Sequence, residues 1–302
     1  MITFRTSKTL SQEKVQARAG RLFIAPSMTV FTLFVFIPLI ASFVFSFLKT
    51  NLMFRNMDFV GFSNYAKMFA DSRFWNALGN TVYYTVCVVP AQVILALLVA
   101  VALKRQTRVN NFFKSVYFLP AICSMTVIAI IWSFLLNKDI SIIGYYLNKI
   151  GIKMPDLLNN PKLAMPTVIG VGIWKNLGFN MVILIAGLQG ISDTYYEAAD
   201  IDGASSWVKL TRITIPMLMP TLTFVTVNSV ISSFQIFDQV YVMTQGGPLF
   251  KTETVVQYIY TNAITKSNIG YASAVAVVML IITLSASLLL FKYMKQDEDQ
   301  LS

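Results

Sequence analysis

Six stretches of this chain are apolar over about twenty residues or more, at roughly 22–48, 81–103, 116–136, 164–188, 217–236 and 272–291. That is the length an α-helix needs to cross the hydrocarbon core of a bilayer. In lipid the backbone must satisfy its hydrogen bonds within its own segment, so each run is expected as a helix. The fold class that follows is an all-α integral membrane protein with six transmembrane helices. Only 13% of residues are charged, against about a quarter in a soluble domain, which leaves too little charge to cover a soluble surface. Pro26, Pro38, Pro90, Pro120, Pro166 and Pro220 fall inside the runs; neighbouring helices, hydroxyls and water can compensate for them in a bundle. The first run is too long for a signal h-region and has no clear small-residue cleavage site, so it is expected to remain as a span.

Basic residues set the expected orientation. Arg5, Lys8, Lys14, Arg18 and Arg21 precede the first run, and Lys104, Arg105, Arg108 and Lys114 follow the second. Both groups fall on one side, which the positive-inside rule makes cytoplasmic. An N-terminal segment 1–21 and a C-terminal tail 292–302 are then both cytoplasmic. The net charge of +10 is scattered between apolar spans rather than gathered into a stripe with interleaved aromatics, so no nucleic-acid partner is expected. On the outer side, 61–80 mixes Tyr65, Phe69, Phe74, Trp75 and Leu78 with Asp71 and Arg73, a pattern expected of an amphipathic interfacial helix. The polar outer loop 138–162 has room for a short helix.

Several chemistries are disfavoured. The chain has no histidine, which removes the usual neutral-pH general base and the commonest metal ligand. Cys87 and Cys123 lie far apart in apolar runs, and neither belongs to a C-x-x-C pair, so no metal site or disulfide framework is expected. No G-x-x-x-x-G-K-[ST] sequence occurs, so any ATP chemistry, with its Mg ion, must reside on another polypeptide. The chain is expected to be no enzyme and to carry no cofactor.

The most informative stretch is 192–216, between the fourth and fifth runs. It reads as two short helices joined at a glycine. Ser192 or Asp193 can cap the first, Gly203 can end it in a left-handed conformation, and Ser205 or Ser206 can cap the second. Pro216 is expected to limit the second helix before the next span. Glu197, Asp200 and Asp202 stand beside Ala198, Ala199 and Ala204; small residues permit close docking, and a carboxylate can pair with a partner's arginine.

This stretch resembles the EAA loop of binding-protein-dependent ABC importers. Glu197-Ala198-Ala199, Gly203 and Ile213-x-Ile215-Pro216 follow that pattern, with Asp202 and Ala204 fitting its sugar-permease form and Leu210 standing where phenylalanine is usual. The resemblance extends through Asn64-Tyr65, Phe74-Trp75-x-Ala77, Asn80-Thr81 and Phe118-Leu119-Pro120. It continues in Asp238-x-x-Tyr241, Thr252-Glu253-Thr254 and Gly270-Tyr271-Ala272-Ser273-Ala274. It implies the type I ABC importer permease fold in a bacterial inner membrane. It also implies a second permease subunit, two ATPase subunits and an extracytoplasmic solute-binding protein as partners. Glu197 is then implied to pair with a basic residue of the ATPase, and Gly246, Gly247 and Pro248, which also read locally as a tight turn, to meet the binding protein.

Lys175 lies near the middle of the fourth run beside Trp174 and Asn176, with Phe179 at helical spacing. A charge at that depth is a functional candidate. Asn228, Ser229, Ser232, Ser233 and Gln235 form a polar band in the fifth run. Amides and hydroxyls beside an aromatic ring suit a sugar, which needs hydrogen bonds at its edges and apolar contact at its faces. The bland alternative is interhelical hydrogen bonding. The expected cargo is a sugar or oligosaccharide, with glycerol 3-phosphate or a related polyol ester as the alternative that the resemblance implies, because similar permeases handle such esters; a phosphate would welcome a cation such as Lys175, so that residue does not decide between them. An ion-gradient transporter predicts acidic pairs inside the spans, and the runs hold no mid-depth Asp or Glu. A membrane scaffold would have no use for Lys175.

Overall fold

The computed structural model describes residues 7–54 and 57–301. The first residues of the segment 1–21 and the last of the tail 292–302 lie outside the described residues. In chain order the elements begin with α1 (Ser7–Phe31), a π-turn (Thr32–Phe36) and α2 (Ile37–Phe45). A small antiparallel hairpin follows, β1 (Leu48–Lys49) against β2 (Asp58–Phe59). Then come α3 (Ser63–Ala70), α4 (Ser72–Ala102), α5 (Arg108–Ile122), α6 (Met125–Leu135), α7 (Ile142–Lys149) and α8 (Ala164–Gln189). The second half has α9 (Asp193–Ile201), α10 (Ser206–Lys209), a π-turn (Leu210–Thr214), α11 (Ile215–Phe234), α12 (Asp238–Met243), α13 (Val255–Tyr260) and α14 (Ile269–Leu301).

Five helical segments are long and apolar enough to cross a membrane: Lys14–Phe45, Ser72–Ala102, Ala164–Gln189, Ser206–Phe234 and Ile269–Met294. The run expected as a single crossing at 116–136 is instead two helices, α5 and α6, bent 98° from each other. Cys123 and Ser124 between them are extended, with ψ of 147° and 135°. Counting this broken pair as one span gives six.

Two prolines that sequence reasoning treats as interruptions are accommodated by a shared device. Proline clashes with the carbonyl four residues before it. For Pro38 that residue is Phe34, inside the first π-turn, and for Pro216 it is Arg212, inside the second. The wider turn opens the ladder where the ring intrudes. Pro216 therefore does not end the second hairpin helix, contrary to expectation. Helix runs without a break from Ser206 to Phe234.

The stretch 61–80 also departs from expectation. It is not one amphipathic helix; α3 stops at Ala70, and Asp71, extended with ψ 111°, caps α4 by accepting from the Arg73 backbone N–H. Phe74 is thus buried in the first turn of a spanning helix, while Phe69 and Trp75 stay exposed.

The bundle is centred on α4, α8 and α11, which pack against one another, with α5 against α8 and α14 against α11. Two glycines let backbones touch. A Cβ on Gly178 of α8 would lie 2.0 Å from the Tyr117 carbonyl oxygen of α5, and one on Gly270 would lie 1.9 Å from the Leu48 carbonyl oxygen. Beyond the outer end of the bundle, by the expected orientation, Arg73 makes a bidentate pair with Glu253 at 2.7 Å for both bonds. Glu253 is 1% exposed. The Asn80 amide donates to the Phe250 and Glu253 carbonyls at 2.9 Å each. Tyr258 donates to Asp71 at 2.5 Å and meets the Tyr271 hydroxyl at 2.8 Å. This knot fixes the 244–254 loop to the start of α4.

Burial alone would raise the Asp71 pKa, but the hydrogen bonds from Tyr258, the Arg73 backbone and Tyr271 outweigh it and hold the carboxyl below its ordinary 3.8. A depressed folded-state value stabilises the fold above the unfolded pKa, and that contribution is lost as pH falls through the folded value. The thermal midpoint of the purified protein should therefore drop on acidification over roughly pH 5 to 2, and Asp71→Asn should flatten that part of the profile; parallel profiles would remove Asp71 from the account. Gly178→Ala should destabilise by about 1–3 kcal/mol or more through overpacking. Gly170→Ala, where an added Cβ meets nothing within 4 Å, should leave the midpoint unchanged or slightly raised. Equal midpoints for the two variants would refute the backbone contact.

Candidate functional site

Apolar side chains of the bundle gather into two clusters separated along the helix axes. One joins Tyr84 and Val88 to Val168 and Val171, and includes Ile236 just past α11. The other joins Ala96 and Ala100 to Met181, Leu184 and Leu188, and to Leu218, Leu222 and Val225. Between them each helix passes through a polar interval: Gln92 on α4, Lys175 to Asn180 on α8, and Asn228 to Ser233 on α11. These intervals line a partly open cavity of about 400 Å³.

Lys175, Asn176, Phe179, Asn228, Ser229, Ser232 and Ser233 all line this cavity. Helical spacing accounts for the set, since residues three and four apart share a face. Two expected members lie elsewhere. Trp174 is half exposed and packs edge-on against Trp132 of α6, with ring centroids 5.5 Å apart. Gln235 falls one turn beyond Ile231, and both line a separate apolar cavity between α11 and α14.

The structure adds Tyr84, Gln92, Ala121 and Asn180 to the wall. Asn180 donates to Ser229 at 3.3 Å, which joins α8 to α11. Gln92 is 3% exposed, and its Oε1 has no hydrogen-bond partner among the described residues, leaving an acceptor at the cavity wall. A lone glutamine within an apolar run was the signal that could have found it. The Tyr84 hydroxyl accepts from Gln239 at 2.7 Å and lies so close to Gly172 that a Cβ there would come within 2.3 Å. Gln239 also donates to the Val168 carbonyl at 3.4 Å, so α4, α8 and α12 are tied together beside the cavity. Among the described residues Lys175 has no carboxylate within ion-pair distance. A cationic donor is thus presented to the cavity with amides, hydroxyls and one phenyl ring, a surface suited to binding rather than bond making.

The 192–216 stretch forms the helical hairpin. Ser192 caps α9, accepting from the Thr194 N–H at 3.4 Å, and Ser205 caps α10, accepting from Val208. Gly203 makes the turn at φ +71°, and the Ala204 N–H closes it on the Ala199 carbonyl at 2.8 Å. Lys209 bonds Asp200 inside the hairpin. The Tyr196 hydroxyl meets Thr214 at 3.0 Å, and Lys104 lies 4.2 Å over the Tyr196 ring, so the base is anchored to the bundle. Glu197, Ala198 and Asp202 are exposed, and Ala199 and Ala204 half-buried. Ile213 lies within the π-turn and Pro216 at the start of α11. Beside Glu197 the hairpin presents Ile201 and Trp207, 87% and 71% exposed. Nothing in their local sequence pattern singled out these two.

At the opposite end, Gly246, Gly247 and Pro248 sit in a turn braced by a Thr244–Thr252 hydroxyl contact of 2.7 Å and by Thr252 donating to the Gly247 carbonyl at 2.7 Å. Gly246 has φ +81°, and a Cβ added there would lie 3.0 Å from the Gln257 side chain. The turn projects Leu249, 78% exposed.

Comparison with known proteins places this geometry among relatives. The family model for binding-protein-dependent transport system inner membrane components matches residues 60–295. The chain is 34% identical over 278 residues to the lactose transport system permease protein LacF of Rhizobium radiobacter, covering 90% of this chain and 92% of that one. It is 33% identical over 277 residues to the arabinooligosaccharides transport system permease protein AraP of Bacillus subtilis (strain 168), covering 91% and 88%. A chain of a bacterial alginate ABC transporter, solved in complex with an alginate pentasaccharide-bound periplasmic protein, shares the fold at TM-score 0.80 and 21% identity, covering 95% of this chain and 96% of that one.

Proposed function

The chain belongs to the family of binding-protein-dependent transport system inner membrane components, and on that premise we propose that it is the permease subunit of an ATP-driven importer for a sugar or oligosaccharide. It is a transport component and a multi-pass membrane protein. The observation that carries the cargo assignment is the cavity wall, where Asn176, Asn180, Asn228, Ser229, Ser232 and Ser233 offer donors and acceptors around the Phe179 ring. That pairing of hydrogen-bonding edge and apolar face matches a pyranose.

In this reading both termini and the 192–216 hairpin are cytoplasmic. A second permease subunit completes the pathway, and two ATPase subunits bind ATP and Mg. A soluble binding protein delivers cargo at the end that carries Gly246, Gly247 and Pro248. Each ATPase holds one hairpin, with Glu197 and Asp202 pairing with its cations and Ile201 and Trp207 entering an apolar recess. Closure of the ATPase pair draws the hairpins together and alternates access to the cavity. The separate Asp200–Lys209 pair leaves Asp200 occupied within the hairpin.

A specific observation favours one second reading. Lys175 faces the cavity without a described carboxylate partner, which suits an anionic cargo such as glycerol 3-phosphate.

The test is uptake by the assembled transporter in proteoliposomes with its binding protein. Glu197→Lys should abolish co-purification of the ATPase or ATPase stimulation by loaded binding protein; full coupling in that variant would remove the hairpin from the mechanism. Asn228→Ala and Ser233→Ala should each weaken half-saturation for a neutral oligosaccharide by several-fold to roughly tenfold, with the complex intact. Lys175→Gln should change neutral-sugar uptake no more than those variants do. Loss of uptake confined to a phosphate ester would instead establish the second reading.

A further inference from the structure

At the end of the bundle opposite the 192–216 hairpin, a polar pocket of about 400 Å³ opens between the β1–β2 hairpin, α3 and the approach to α14. Lys49, Lys67 and Lys266 line it against one carboxylate, Asp58. Among the described residues none of these lysines lies within ion-pair distance of a carboxylate. Lys266 donates to the Asn262 side chain at 3.3 Å, and Asp71 feels its charge at longer range. Three ammonium groups around one concavity repel each other, so the arrangement favours an anion between them.

The walls are fixed by hydrogen bonds that join segments distant in the chain. Asn64, 5% exposed, donates to the Ser46 and Leu48 carbonyls at 2.9 and 3.0 Å. The Leu52 N–H donates to the Ser267 hydroxyl at 3.1 Å, with Ser267 held at φ +50°. The Gly270 N–H donates to the Thr50 carbonyl at 3.3 Å.

Depth and neighbours identify the anion. Lys49 follows the end of α2 at Phe45, and Lys266 precedes the start of α14 at Ile269, so the pocket lies where two spans leave the hydrocarbon. The adjoining hairpin and turn expose Met53, Phe59 and Phe62 at 72%, 78% and 73%, with Phe54 and Met57 about half exposed. An apolar patch of that kind beside lysines at a span end is the arrangement of a surface seated at the boundary between acyl chains and headgroups.

We propose that Lys49, Lys67 and Lys266 bind the phosphate of an anionic phospholipid whose acyl chains lie against Met53, Phe59 and Phe62. The lipid anchors the outer ends of α2 and α14, already joined by the Gly270–Leu48 approach, to the leaflet. This site rests on the membrane placement of the chain and is independent of which solute the central cavity takes.

The test is native mass spectrometry of the assembled transporter in detergent with dioleoylphosphatidylglycerol or dioleoylphosphatidylcholine, which share acyl chains and differ in headgroup. The wild type should retain phosphatidylglycerol preferentially. Each of Lys49→Gln, Lys67→Gln and Lys266→Gln should lower its affinity about fivefold, while Lys153→Gln with Lys162→Gln on another loop should not. If one of these variants fails to assemble, the other two carry the comparison. Equal retention of the two lipids, undiminished phosphatidylglycerol binding in the variants, or its displacement by excess inorganic phosphate would each overturn the proposal. So would lysine variants that lose affinity for the binding protein while keeping the lipid, since the lysines would then belong to a protein contact.

Discussion

A lysine held halfway along α8, between two apolar clusters, can persist only if its charge meets water, a partner or cargo. On insertion scales a lysine at the centre of a membrane helix costs about 2.5–3.5 kcal/mol. That penalty dictates that α4, α8 and α11 cannot close on one another at the depth of Gln92, Lys175 and Asn228. The clusters to either side do close, through side chains such as Val168 and Leu184 that are completely buried. The cavity is therefore the necessary complement of the packing around it. The ties from Gln239 to Tyr84 and Val168, and from Asn180 to Ser229, fix how the helices sit around it.

The path from the hairpin to the cavity is equally constrained. Because the π-turn at Leu210–Thr214 absorbs Pro216, the helix carrying Trp207 is the helix carrying Ser229, Ser232 and Ser233. Between Trp207 and the cavity wall there is continuous helix and no loop. Lys104 and Thr214 hold the other arm of the hairpin through Tyr196, so the two arms move together. A partner gripping Glu197 would in this way act directly on the cavity wall.

The sequence made some of this legible and hid the rest for identifiable reasons. Apolar length announced the long helices, and Ser192, Gly203 and Ser205 announced the hairpin, because caps and positive-φ turns are written in local chemistry. The polar faces of α8 and α11 were readable from helical spacing up to Gln235, where the last turn places the side chain with Ile231 instead. What could not be read depended on contacts between distant segments. Arg73 finds Glu253, 180 residues away, and nothing in either neighbourhood specifies that pairing. The tolerance of Pro216 depends on a wider turn upstream, and the break at Cys123 and Ser124 on what α5 and α6 each pack against. Gln92 and Asn180 were visible as residues, but their membership of the cavity needed the third dimension.

That break has a mechanical meaning. On one side of it α5 is locked to α8, because Gly178 leaves no side chain between the Tyr117 backbone and the helix it rests on. On the other side α6 packs chiefly against α12. The two halves of the bent crossing thus have different principal neighbours and are joined by two extended residues that bridge a 98° corner. Should α5 and α6 ever change their angle, Cys123 and Ser124 are where the dihedral angles can alter at least expense to packing, which is the character of a hinge.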